Sequence, residues 1–208
     1  MRIGVDLDDT INDFMGHFLS FYEKETGVKH SKDIFHNRQL DERLNIPKKK
    51  FLKIFNAFHT HESILQMPLL PGAKEVIHNL AKEHELFLIT ARLAPHSWEI
   101  DAWLSQHFKG IFKQILFAKN PYSNHNDHLK TKHEYAHELF IDVFIDDDPN
   151  FAIHIANEGF PVLMLKCPWN KNVAHQNIII VKDWYELQKK IKDFEHERNK
   201  RSVAEKSH

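Results

Sequence analysis

The 208-residue chain has a single cysteine, Cys167, so no disulfide can form within it, and that usage fits a reducing compartment, the cytoplasm. Net charge is nearly absent, formally -1, and such a balance favours neither nucleic acid nor a membrane surface as partner. No apolar run reaches the roughly 20 residues of a membrane span. The opening MRIGVDLDDT has no apolar stretch before it turns acidic, which is not the pattern of a secretory signal. Glycine is scarce at 6 residues, and neither an internal repeat nor a low-complexity segment occurs. With 42% hydrophobic and 27% charged residues the composition is that of a globular protein, long enough for one core or one core with an inserted subdomain.

Histidine is what the chain has in excess, 17 residues scattered from His17 to His208. Two of them fall in His133-Glu134-Tyr135-Ala136-His137, an H-e-x-x-H pattern that on a helix could hold zinc and carry a general base, as in a zinc peptidase. At this histidine and glutamate content, chance alone yields the pattern in about one such sequence in ten.

Short apolar runs recur at Arg2–Leu7, Glu85–Thr90, Gln114–Ala118, Asp142–Asp146, Pro161–Leu165 and Ile178–Val181, most of them separated by amphipathic segments of helical length. Continuous apolar strands alternating with helices predict an α/β fold, a Rossmann-like and mainly parallel sheet flanked by helices. About 75 residues separate the first two strands, far more than one crossover helix needs. Within them Asn12–Thr26 carries Phe14, Phe18, Phe21 and Tyr22 on one face, and Ile46–Phe58 carries Phe51, Ile54, Phe55 and Phe58. Residues 13–71 are therefore expected to form a small helical cap inserted after strand one. Residues 1–12 and 72–185 would form the core, and 186–208 a helical, then polar, tail.

In such sheets function gathers at the carboxyl ends of the strands, and here those ends carry charge. Strand one ends in Asp6-Leu7-Asp8-Asp9-Thr10, and in an extended chain Asp6 and Asp8 project to the same side. Two neighbouring carboxylates repel, and a divalent cation relieves them; ligands that are all oxygen favour Mg2+ over Zn2+. Asp142–Ile145 runs into Asp146-Asp147-Asp148, and strand two ends in Thr90-Ala91-Arg92. If these strands are neighbours, one pocket holds carboxylates, a metal, a hydroxyl and a cation, the parts for phosphoryl transfer through an aspartyl-phosphate.

DLDDT, LITAR and FIDDDP, in this order and each after an apolar strand, resemble motifs I, II and IV of the haloacid dehalogenase-like (HAD) phosphohydrolases. The inserted cap, LPGA before the next helix and Trp169-Asn170 after strand five are similar to the 5'-nucleotidases and 5'(3')-deoxyribonucleotidases of that superfamily. The resemblance implies Asp6 as nucleophile and Asp8 as general acid and then base. It implies Mg2+ on Asp6, the Asp8 carbonyl and one of the paired aspartates, Asp147 first and Asp146 second, with Thr90 holding the phosphate. A carboxylate at Asp8 implies a phosphate ester as substrate, since the true dehalogenases lack it.

The family also requires a lysine at the start of the helix that leads into the FIDDDP strand, and that helix contains HEYAH. Winding Lys130–Phe140 at about 100° per residue puts Tyr135, Ala136, Leu139 and Phe140 on one apolar stripe. His133 and His137 fall on its flank, whereas Lys132 points along the stripe toward the sheet. Lys132 is thus the expected lysine and Lys130 the alternative. Phe14 of the cap could stack on a base or belong to the cap's own core, and Arg92 could contact substrate or brace an acidic loop. Where the animal deoxyribonucleotidases have threonine-serine, this chain has Thr90-Ala91, one phosphate-side hydroxyl fewer, so the resemblance leaves deoxy against ribo preference open. The expectation is a Mg2+-dependent phosphomonoesterase acting on a small phosphate ester, first a 5'-nucleotide, with a sugar phosphate as the alternative.

Overall fold

The computed structural model describes residues 1–36, 40–92, 97–120 and 128–205. Six strands make one sheet: β1 (Arg2–Val5), β2 (Glu85–Thr90), β3 (Phe112–Phe117), β4 (Val143–Asp146), β5 (Val162–Leu165) and β6 (Ile178–Val181). Their order is β3-β2-β1-β4-β5-β6, and every neighbouring pair is parallel. The expected α/β sheet is therefore observed. The order reverses beside β1, whose neighbours are β2 and β4, and this topological switch point is where a doubly wound sheet opens a crevice. It brings the three strand ends singled out in the sequence side by side.

Alternate residues feed two cores. Ile3, Val5, Leu86, Leu88, Val143 and Ile145 pack on one face with α5 (Ala73–Leu80), α6 (Ser97–Phe108) and α9 (Trp184–Glu205). Phe87, Ile89, Phe144, Val162 and Met164 pack on the other with α7 (Lys132–Glu138) and α8 (Pro149–Asn157). Gly4 sits where the second face is tightest: a Cβ there would lie 2.7 Å from the Phe144 ring, so any larger residue in the centre of β1 would displace it. Helix α9 is more than a tail, since Trp184, Leu187 and Ile191 are fully buried in the first core.

Between β1 and α5 the described residues form four α-helices, α1 (Phe14–Thr26), α2 (Leu40–Leu44), α3 (Lys48–Phe58) and α4 (His61–Leu65), of which the sequence pattern had foretold only α1 and α3. The two shorter helices span a single turn or so, too little for a period to show. The aromatics of α1 and α3 interlock: Phe18 lies 5.6 Å from Phe55 and 5.3 Å from Phe58, edge to face, and all are continuous with the first core.

Strand boundaries differ by one or two residues from the sequence reading, most tellingly at β1. It stops at Val5 rather than Leu7 because Asp9 takes a left-handed backbone (φ 58°) that turns the chain out of the sheet. Its short polar side chain stabilises that turn, with Oδ1 accepting from the amide of Met15 at 2.9 Å in the first turn of α1.

Candidate active site

At the switch point Asp6, Asp146 and Asp147 are all buried, with carboxylate oxygens within 4.8 Å of one another. Lys132 is buried with them at 2% exposure, its Nζ 2.7 Å from Asp6 Oδ1 and 2.7 Å from Asp146 Oδ2. A capping box puts it there. Thr131 Oγ1 accepts from the Glu134 amide while Glu134 accepts from the Thr131 amide, so α7 starts at Lys132 and its first side chain is directed at the sheet.

Burial raises the Asp6 carboxyl from an ordinary 3.8 to about 7; Lys132 opposes this, and Asp146 and Asp8 add to it. Asp146 is raised for the same first reason, burial. Burial alone would lower Lys132, but the carboxylates of Asp146 and Asp6 together raise it, so it stays charged. One ammonium cannot neutralise three buried carboxylates, and an added divalent cation bound by oxygen would complete the balance.

Both oxygens of Asp147 are held. Thr10 Oγ1 donates to Oδ1 at 3.2 Å and Trp169 Nε1 to Oδ2 at 2.8 Å. Asn170 Nδ2 donates to the carbonyls of Asp147 and Leu165, fastening the end of β4 to the end of β5. Thr90, at the end of β2, is 1% exposed and its hydroxyl accepts from the Arg92 amide at 3.2 Å.

Asp8 lies outside this trio. Arg92 grips it from two nitrogens, Nε to Oδ2 at 2.7 Å and Nη2 to Oδ1 at 2.8 Å, and Asn12 Nδ2 donates to Oδ1 at 3.1 Å. The Arg92 side chain is buried against Met67, past the end of α4, and Phe14 of α1, with Nη2 3.2 Å from Met67 Sδ and the guanidinium 5.2 Å from the centre of the Phe14 ring. In this structure Arg92 braces Asp8, one of the two roles open to it. Phe14, 7% exposed, packs edge-on to Phe58 at 5.6 Å and has Arg92 over its face.

The zinc motif resolves otherwise than as a metal site. Glu134 belongs to the capping box, His133 Nε2 contacts Thr131 Oγ1 at 3.2 Å, and His137 reaches Glu158 on the surface at 3.3 Å. Among the described residues, neither histidine joins a group with metal-ligand spacing. Lys130 is exposed and pairs with Glu138 at 2.6 Å, so of the two candidate lysines only Lys132 meets the aspartates. Sequence reasoning missed Thr10, Asn12 and Met67, and it assigned no task to Trp169-Asn170. Thr10 and Asn12 carried a signal, lying within the strand-end turn, but Met67 is brought in by the fold alone.

A model of the family described as "5' nucleotidase, deoxy (Pyrimidine), cytosolic type C protein" matches residues 1–194. The chain is 27% identical over 191 residues to YqfW of Bacillus subtilis, which is itself classed only provisionally as a nucleotidase; the match covers 89% of this chain and 91% of YqfW. Among solved structures, the haloacid dehalogenase-like hydrolase SP0104 of Streptococcus pneumoniae superposes with a TM-score of 0.64 at 15% identity, covering 91% of this chain and 97% of that one. A HAD family hydrolase of Deinococcus radiodurans, whose structure contains bound phosphate and sodium, gives 0.63 at 14% identity over 93% and 95%.

Proposed function

This chain belongs to the 5' nucleotidase, deoxy (Pyrimidine), cytosolic type C family and is a phosphoric monoester hydrolase of the HAD superfamily, and from that premise we propose that it hydrolyses 5'-nucleotides with Mg2+ through an aspartyl-phosphate. The observation that carries the reading is Lys132 bridging Asp6 and Asp146 beside Asp147, all four buried at the carboxyl ends of adjacent strands.

In this reading an Asp6 oxygen attacks phosphorus and the bond to the leaving oxygen breaks, with Asp8 giving that oxygen its proton. Asp8 then takes a proton from water, whose oxygen attacks the same phosphorus; the acyl phosphate opens and Asp6 is regenerated as a carboxylate with inorganic phosphate. Lys132 and Thr90 hold the phosphoryl oxygens, and Lys132 favours the ionised form of Asp6 against its burial.

The donor set fits Mg2+ on Asp6, the Asp8 carbonyl and Asp147. Asp146 already faces the charge of Lys132 and the amide of Asp148, whereas the donors on Asp147, a hydroxyl and an indole, are uncharged. Asp147 is therefore the preferred ligand and Asp146 the second. When bound, the ion neutralises the carboxylates and polarises the phosphate. Residues 13–71 act in this reading as the cap that closes over the substrate. The protein works on a small diffusing ester in the cytoplasm; no helix among the described residues is long and apolar enough to cross a membrane.

The test is phosphate release from a panel of 5'-nucleotides, sugar phosphates and one aryl phosphate, with EDTA and Asp6→Asn as controls. Turnover that needs both Mg2+ and Asp6 and prefers nucleotides is the expected result. Preference for sugar phosphates would move the substrate class while leaving the chemistry, and turnover indifferent to Asp6 would sink the mechanism.

A further inference from the structure

Two buried polar atoms beside Asp8 have no hydrogen-bond partner among the described residues: Arg92 Nη1, a donor, and Asn12 Oδ1, an acceptor. Their residues are 7% and 2% exposed. Both side chains otherwise converge on one atom, since Arg92 Nη2 and Asn12 Nδ2 each donate to Asp8 Oδ1, at 2.8 and 3.1 Å. The carboxylate dictates the orientation of the Asn12 amide: only the NH2 end can face Asp8, so the end left over is the carbonyl. The guanidinium is dictated likewise. With its Nε and Nη2 edge on Asp8, the remaining corner, Nη1, is directed away from the carboxylate.

An atom buried unsatisfied is costly, so the arrangement favours a guest that satisfies both. A group that donates and accepts at once is a hydroxyl. We propose that Asn12 and Arg92 form a subsite for a hydroxyl of the leaving alcohol, the hydroxyl donating to Asn12 Oδ1 and accepting from Arg92 Nη1. The inference rests on the phosphomonoesterase reading, in which the leaving oxygen lies within hydrogen-bond reach of Asp8. Groups bonded directly to Asp8 then stand one hydrogen bond further on, about 3–6 Å from that oxygen. That is the spacing between the ester oxygen of a sugar phosphate and the sugar's own hydroxyls. The subsite thus selects polyhydroxylated leaving groups, the ribose of a nucleotide first, over simple alkyl or aryl alcohols.

Binding can be read without turnover in an Asp6→Asn protein loaded with Mg2+. Calorimetry would compare the four common ribonucleoside 5'-monophosphates with their 2',3'-dideoxy counterparts, in this parent and with Asn12→Ala or Arg92→Lys added. The expected result is about tenfold weaker binding of the dideoxy ligand by the parent, and a ratio near one once Asn12 or Arg92 is changed. If Asn12→Ala fails to fold, Asn12→Ser and the parent's own ratio carry the test. A ratio near one in the parent, a ratio unchanged by the substitutions, or no binding of either ligand would each overturn the subsite; a bound water there gives the second of these. Phosphate release by the unaltered protein is a separate readout. Hydroxyl-dependent binding without turnover would fault the enzymatic reading, and turnover without hydroxyl coupling would fault the subsite.

Discussion

Trp169 donates from its indole nitrogen to Asp147 Oδ2 at 2.8 Å, and both side chains are closed to solvent. The bond joins the turn after β5 to the end of β4, and the indole aims a carboxylate that would otherwise rotate. Trp169→Phe keeps the ring and removes the donor. The Mg2+ concentration for half-maximal activity should rise about tenfold, with a loss of roughly 1–2 kcal/mol in stability by denaturant titration. An unaltered Mg2+ response would mean that the indole serves packing alone.

Lys132 and Lys130 are two residues apart and should behave oppositely. Lys132→Ala leaves Asp6 and Asp146 buried together without a cation, so turnover should fall by at least about a hundredfold. Lys130, exposed and paired with Glu138, should be replaceable by alanine with no measurable change in kcat. Steady-state kinetics on both variants decides this, and the reverse ranking would transfer the role to Lys130.

Stability without metal should depend on pH in a sense opposite to that of most carboxylates. Asp6 is raised in the fold from 3.8 to about 7, so it favours folding while protonated. Its contribution is complete below about pH 4 and disappears as the pH climbs to about 7. In EDTA the melting temperature at pH 8 should therefore be higher for Asp6→Asn than for the wild type, and Mg2+ should reverse that order. A lower melting temperature for Asp6→Asn in EDTA would contradict the assigned direction.

Thr131→Ala removes the N-cap of α7 and should cost about 1 kcal/mol. Because the cap sets where the helix begins, and so where Lys132 points, kcat should fall as well. His133→Ala and His137→Ala should leave both kcat and zinc content as they are in the wild type. Zinc bound at one equivalent and lost in either histidine variant would restore the metal reading of HEYAH.

How much of this was legible beforehand differs from element to element. Asp6, Asp147 and Thr90 could be picked out because each follows an apolar strand, and strand ends in parallel sheets converge. Lys132 followed from helical winding, since a lysine on an apolar stripe has few places to go. The short helices α2 and α4 were hidden, being too brief to show a period. Met67 was hidden too, because nothing local marks a methionine as the neighbour of an arginine 25 positions later. For Arg92 the sequence left two roles standing, and its contact with Asp8 needed the fold.

The sequence by itself determined the strands, the sign and kind of charge at their ends, and the α/β class, because period and composition are local properties that each segment carries alone. The tertiary structure decided the partners. Asp8 with Arg92, Lys132 with Asp6 and Trp169 with Asp147 are separated by 84, 126 and 22 residues, and the pairs meet because β1 lies beside both β2 and β4, and β4 beside β5. Hydrogen bonds depend on angstroms between atoms, and for distant segments those distances exist only once the chain has closed around its two cores.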